Sequence, residues 1–202
     1  MPKTITTETV VYTFEELSDE AKQKAVEKYY DWNVSYDWWG SVYDDAARVA
    51  ALMGIDIERI YFRGFSSQGD GACFEGTYGY RKNSLKLVQE YAPKDSELHQ
   101  IARDLIAVQR PAFYRLYASA EQRGHYMHSG CMSVNVTKDD SYSYTDHATA
   151  EQEDGITQAL REFADWIYTQ LEKEYDYLTS EEAISESLIA NECEFTADGS
   201  IY

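Results

Sequence analysis

Between residues 60 and 138 the strand-forming stretches come in adjacent pairs, and this constrains the fold more than anything else in the chain. Residues 60–65 and 72–80 flank the loop Ser66-Ser67-Gln68-Gly69-Asp70-Gly71. In the second stretch Phe74, Tyr78 and Tyr80 alternate with Glu75, Thr77 and Gly79, the period of a half-buried strand. Residues 113–122 and 132–138 form a second pair. Parallel strands need a long crossover, usually a helix, whereas neighbouring strands join as antiparallel hairpins. The expected class is therefore α+β: a mainly antiparallel sheet of two hairpins packed against several helices, and not a doubly wound fold.

Helical periodicity fills the rest. Ser18-Asp19-Glu20 supplies a cap and first-turn acids, and Leu17, Ala21, Ala25, Tyr29 and Trp32 recur on one face. A second helix begins near Trp38 with Trp39, Val42, Tyr43, Ala46, Ala50 and Met53 inward, and stops at Gly54. Two more are expected over about 83–92 and 95–109. The latter buries Leu98, Ile101, Ala102 and Leu105 and is closed by Pro111. A long helix over 150–177 and a shorter one over 179–191 form an acidic helical C-terminal segment. Residues 194–202 read as a small hairpin around Asp198-Gly199. Residues 4–12 suit an edge strand or extended arm, and residues 139–148 a loop. With 3 Pro and no Ser/Gly-rich linker, residues 1–202 read as a single compact domain.

Charge is distributed unevenly. Residues 139–202 carry 17 Asp/Glu against 2 Lys/Arg, residues 1–58 contribute −7 and residues 59–138 contribute +4, within a net of −18. Such a surface favours a basic partner and disfavours direct contact with nucleic acid or an anionic membrane. The 18 Tyr, 4 Trp and 7 Phe exclude a disordered acidic tail.

On a wheel at 100° per residue, Leu160, Phe163, Ala164, Ile167, Leu171, Tyr175 and Leu178 share the inner side, and Glu162, Asp165, Glu172 and Asp176 share the outer. The outer stripe spans about 21 Å at 1.5 Å per residue. Duplex DNA carries roughly 12 charges over that length, so four carboxylates reach about a third of its density. Nucleic-acid mimicry would need Glu181, Glu182 and Glu186, the loop acids Asp139, Asp140 and Asp146, or a symmetry mate. Few Lys or Arg are interspersed, unlike an ordinary solvated helix, which mixes signs. Trp166, Tyr168 and Tyr177 lie off the apolar centre and are the expected exposed aromatics of a partner-binding surface with Glu162, Asp165, Glu172, Asp176, Glu181 and Glu182.

Chemistry is less well supported. His125, His128 and Cys131 are soft or borderline metal donors, but on a strand positions 125 and 128 point to opposite faces, so no metal and no cofactor is expected. The 66–71 loop lacks the ending of a phosphate-binding loop, and its glycines suit a turn. No nucleophile–base pattern is present, so no catalytic residue is assigned. An alternative site combines Ser67, Gln68, Asp70 and His125, as an enzyme or small-ligand protein would. The basic residues Arg59, Arg63, Arg81, Lys82, Lys86, Arg110, Arg115 and Arg123 either pair with the acidic ends or make the molecule dipolar, which would permit a homodimer.

The stretch Phe65-Ser66-Ser67-Gln68-Gly69-Asp70-Gly71-Ala72-Cys73-Phe74-Glu75-Gly76 resembles a phage and prophage protein family usually labelled "antitoxin of toxin–antitoxin stability system". So do Tyr91-Ala92-Pro93, Arg123-Gly124-His125-Tyr126 and the ending Asn191-Glu192, Glu194-Phe195-Thr196 and Asp198-Gly199. The resemblance implies a mobile-element origin and an inhibitory, partner-binding role. The expected partner is a host or toxin protein with a basic surface, for example a CRISPR effector or nuclease. Three scattered cysteines and no apolar stretch at Met1-Pro2-Lys3-Thr4 lead us to expect a cytoplasmic location without a membrane partner.

Overall fold

The computed structural model describes residues 3–5, 8–139 and 147–202. Where the sequence reads as one compact domain, the chain divides into two compact units: Trp39–Glu172, and Met1–Trp38 with Lys173–Tyr202. The architecture is α+β, as the strand spacing predicts.

In the larger unit, helix α2 (Gly40–Met53) ends at Gly54, which is left-handed at φ 88; a Cβ there would lie 2.1 Å from the Gly79 carbonyl oxygen. Strand β2 (Ile55–Arg63) starts immediately afterwards, five residues earlier than its apolar run suggests, and pairs with β3 (Gly71–Gly79). A register shift between Ile57 and Arg59 absorbs the extra residue. Helices α3 (Ser84–Tyr91) and α4 (Ser96–Gln109) follow, then β4 (Leu116–Gln122) and β5 (Met132–Lys138). The two hairpins join through β3 and β4 into one antiparallel sheet in the order β2-β3-β4-β5, with Gly76 opposite Ala120 and Gly79 opposite Tyr117.

Helix α5 (Ala150–Leu178) contributes most of its length to this unit. Ile156, Ala159, Leu160, Phe163, Ala164, Ile167 and Leu171 are buried, as the wheel requires. Phe163 meets Phe74 of β3 edge to face at 6.0 Å. Asp95 caps α4 by accepting from Leu98 N at 3.0 Å.

The smaller unit is built from β1 (Tyr12–Thr13), α1 (Asp19–Lys28), a 3-10 turn at Trp32–Val34, α6 (Glu181–Ala190) and β6 (Glu194–Phe195). Among the described residues of the strand or arm expected over 4–12, Tyr12 alone pairs; β1 extends one residue beyond it to Thr13 and runs antiparallel to Phe195 and Glu194. Phe14, Leu17, Ala21, Ala25, Ile184, Leu188 and Phe195 form its core. The tail turns at Asp198-Gly199 as expected, with Phe195 bridging Ile201. Asp198 accepts from Thr196 Oγ1 at 2.6 Å and from Ser200 N at 3.3 Å, and these bonds hold its carboxyl below the usual range. Among the described residues, no helix is long and apolar enough to cross a membrane. The expected loop at 139–148 falls largely on residues 140–146, which lie outside the described residues together with Asp140 and Asp146.

Candidate functional site

Of the sites named from the sequence, the one around the 66–71 loop is better assembled than its spacing suggests. Residues 123–131 are not strand: they make the tip of the β4–β5 hairpin, closed by Arg123 N donating to Cys131 O and ending in a 3-10 turn at Ser129–Cys131. That tip folds against the 66–71 loop. A Cβ on Gly69 would lie 2.9 Å from the Tyr126 ring, and one on Gly71 would lie 2.6 Å from His128 Cβ. The glycines of the Gln68-Gly69-Asp70-Gly71 stretch therefore permit the close approach of two loops.

Asp70 organises the loop from within. Its Oδ2 accepts from Ser66 N at 3.0 Å and from Ser67 N at 2.6 Å, an arrangement typical of an aspartate-stabilised turn. Ser67, Gln68, Gly69, Asp70, His125 and Tyr126, with Arg63 from β2, line a cavity of about 250 Å³. All four residues of the alternative site are thus brought together, and Arg63 and Tyr126 are added to them. The polar lining offers a guanidinium, an imidazole, an amide and a hydroxyl around one aromatic ring, with one Asp70 oxygen already committed to the backbone.

The three candidate metal donors do not converge: His128 and Cys131 are neighbours, and His125 faces the cavity. His125 is exposed at the cavity and lies beside Tyr126 at 5.8 Å. His128 instead accepts from Gly130 N through Nδ1 at 3.1 Å and lies 3.5 Å from Cys131 Sγ through Nε2. With Nδ1 committed as an acceptor, the neutral ring carries its proton on Nε2 and presents a donor to sulfur, not a base. Among the described residues, no group of three or more His, Cys, Asp or Glu side chains is placed to hold a metal ion.

On the acidic helices, Asp165, Glu172, Asp176, Glu181 and Glu182 are exposed, and Glu162 is half-buried and accepts from Gln158 Nε2 at 2.9 Å. Among the described residues none of these six carboxylates makes an ion pair; the pairs formed are Lys24–Glu20, Lys86–Glu90 and Arg123–Glu121, all local. Of the two alternatives open for the central basic residues, pairing with the acidic ends is represented by no ion pair among the described residues. Lys86 and Arg123 pair with near neighbours, Arg81 donates to the Ala51 carbonyl, and Arg59 lies over the Tyr61 ring at 5.8 Å.

The expected aromatics divide three ways. Tyr177 is 56% exposed, as a surface anchor requires. Tyr168 is half-buried, stacks on Phe65 at 5.4 Å and donates to the Gly64 carbonyl at 3.0 Å. Burial and the charges of Asp70 and Glu172 push its phenol up. Trp166 is corrected: it is 4% exposed, stacks on Phe163 at 5.6 Å and donates from Nε1 to Asp95 Oδ2 at 2.8 Å. The buried arc of α5 is wider than its aliphatic arc, because an indole can bury its ring once its N–H finds a carboxylate.

The strand expected over 113–122 begins only at Leu116, because residues 113–115 belong to a turn. Phe113 and Tyr114 are both left-handed, at φ 54 and φ 62. Phe113 is 76% exposed, and Tyr114 packs against Tyr80 at 4.3 Å. Two bulky residues at positive φ mark local strain, and the signal for it is conformational and absent from periodicity.

A family model described as "Domain of unknown function (DUF8835)" matches residues 38–181, a span that takes in the whole larger unit. No curated protein and no solved structure matches the chain.

Proposed function

Since the chain belongs to the DUF8835 family, whose description assigns no activity, we propose from its own surface that it is a binding protein. In this reading it is an acidic, phage-type inhibitor, a counter-defence protein or antitoxin, that engages a basic and nucleic-acid-handling protein. The observation that carries the reading is the set of six carboxylates on α5 and α6 with no ion-pair partner among the described residues. Exposed charge unbalanced on its own surface is free to steer a cationic partner, which raises association rate and specificity more than affinity. Rim charges contribute little to tight binding, so an aromatic anchor is needed. Tyr177 is available for it, whereas Trp166 is committed inside the fold. The resemblance of residues 65–76 to a phage antitoxin family supports the same class of role.

Reversing Glu162, Asp165, Glu172 and Asp176 to Lys changes the formal net charge from −18 to −10 and tests the reading. The tagged wild type should retain a basic protein from nuclease-treated host lysate at low salt and release it as salt rises. The reversed variant should retain little at any salt. Equal retention by both, with unchanged salt dependence, would refute the proposal.

The cavity between the 66–71 loop and the hairpin tip favours a second reading, small-ligand binding by Ser67, Gln68, Asp70 and His125. Under it, Asp70→Ala with His125→Ala abolishes ligand-dependent behaviour while leaving capture of the basic protein intact.

A further inference from the structure

The smaller unit carries a groove that the acidic stripe does not use. Phe14, Leu188, Ile189 and Cys193 supply its apolar lining, and Thr13, Glu15, Glu192 and Glu194 complete it around a cavity of about 390 Å³. Phe14 and Leu188 are buried within the core beneath it. Ile189 is 44% exposed, a large aliphatic side chain facing water. The three carboxylates are exposed, none makes an ion pair among the described residues, and no Lys or Arg lines the groove.

Glu192 is a poor structural choice for its position. It follows the α6 cap, Asn191, at φ 50, a left-handed site usually given to Gly or Asn. Its negative charge also sits at the negative end of the α6 dipole. Both features cost stability, and departures of this kind concentrate where function requires them. What the position gains is a carboxylate lining the groove.

We propose that this groove docks a segment of a basic protein. One aliphatic side chain would insert beside Phe14, Leu188 and Ile189, while flanking Lys or Arg face Glu15, Glu192 and Glu194. An apolar floor with an acidic rim complements that chemistry and repels nucleic acid and anionic lipid. The inference rests on the partner-binding reading above and gives it the desolvated anchor that exposed charges cannot provide.

The probes are two labelled peptides of equal charge, Lys/Ser repeats with either one central Leu or a Ser in its place. Binding to the full-length protein is followed by fluorescence anisotropy at about physiological ionic strength, where charge is screened beyond roughly 8 Å. The wild type should bind the Leu peptide about tenfold more tightly, the gain expected from burying most of one aliphatic side chain. That peptide should slow alkylation of Cys193 and leave Cys131 unchanged. Glu192→Lys with Glu194→Lys should abolish most of the preference, whereas reversal of Glu162, Asp165 and Glu172 should retain it. Glu192→Gly serves as a folded control: its melting temperature should rise by about 2–4 °C as the strain is relieved, while peptide affinity falls. Equal affinity for the two peptides, or a preference untouched by the Glu192/Glu194 reversal, overturns the proposal. Intact peptide preference in a wild type that captures no basic protein from lysate would instead overturn the inhibitor reading alone.

Discussion

Replacing Gln109 by Leu should destabilise the larger unit far more than its conservative volume suggests. Gln109 closes α4 and has no exposed surface. Its Nε2 donates to the Leu116 carbonyl at 2.7 Å and to Tyr78 Oη at 3.3 Å, and its Oε1 accepts from Leu116 N at 3.1 Å. One side chain thus satisfies both backbone polar groups of the first residue of β4. Leucine fills nearly the same space, so the cavity contribution is small and the cost is that of two stranded backbone groups. Each costs about 1–3 kcal/mol when buried without a partner. Allowing about 1 kcal/mol for the added apolar burial, the net loss is about 3 kcal/mol. At roughly 2–4 °C per kcal/mol for a chain of this size, the melting temperature should fall by about 6–12 °C. Calorimetry and urea titration both measure this. A loss below about 1 kcal/mol would show that Leu116 finds other partners, and the reasoning would be wrong.

Three further outcomes follow from the same structure. Asp70→Ala should raise hydrogen exchange at the Ser66 and Ser67 amides by about 30-fold, the equivalent of about 2 kcal/mol for two charge-assisted bonds, while Asp70→Asn largely rescues it because both bonds use one oxygen. Comparable exchange in the Ala and Asn variants would assign the role to charge and not to turn geometry. Trp166→Phe should cost about 1–2 kcal/mol through the bond lost to Asp95 and leave capture of a basic partner unchanged, since the indole lies inside the fold. Stability should fall as pH rises from about 9 to about 12. Burial, with the neighbouring charges of Cys131 and Glu75, pushes the Cys73 thiol from 9.0 up to about 12, and burial pushes the Tyr78 phenol from 10.0 up to about 12. In that window the unfolded chain has released protons that the folded chain retains, so the contribution is intact below pH 9 and lost above it. Urea midpoints for the wild type and Cys73→Ala should diverge from about pH 9 upward, with the flatter curve in the variant.

Local periodicity determined the elements: the alternation through Phe74, Tyr78 and Tyr80, the 3.6-residue rhythm of Leu160 to Leu171 and the helix stop at Gly54 are all properties of neighbours in the chain. It also determined the acidic surface, because exposed carboxylates follow from helix geometry and composition. It could not place the start of β2, since Ile55–Arg63 alternates weakly and is held by its partner β3 through a register shift. The joining of β3 to β4 across two helices and of β1 to β6 across the 180 residues between them depended on which apolar faces meet, and no local signal records that. The same holds for the sites. Ser67, Gln68 and Asp70 were legible as a turn, but their cavity with His125 exists because Gly69 and Gly71 admit the hairpin tip. Trp166 looked like a surface aromatic until Asp95 was brought within reach of its N–H. The groove at Ile189 and Glu192 belongs to tertiary structure alone: its two walls lie about 175 residues apart in sequence, and the pairing of β1 with β6 and the packing of Phe14 against Phe195 draw them together.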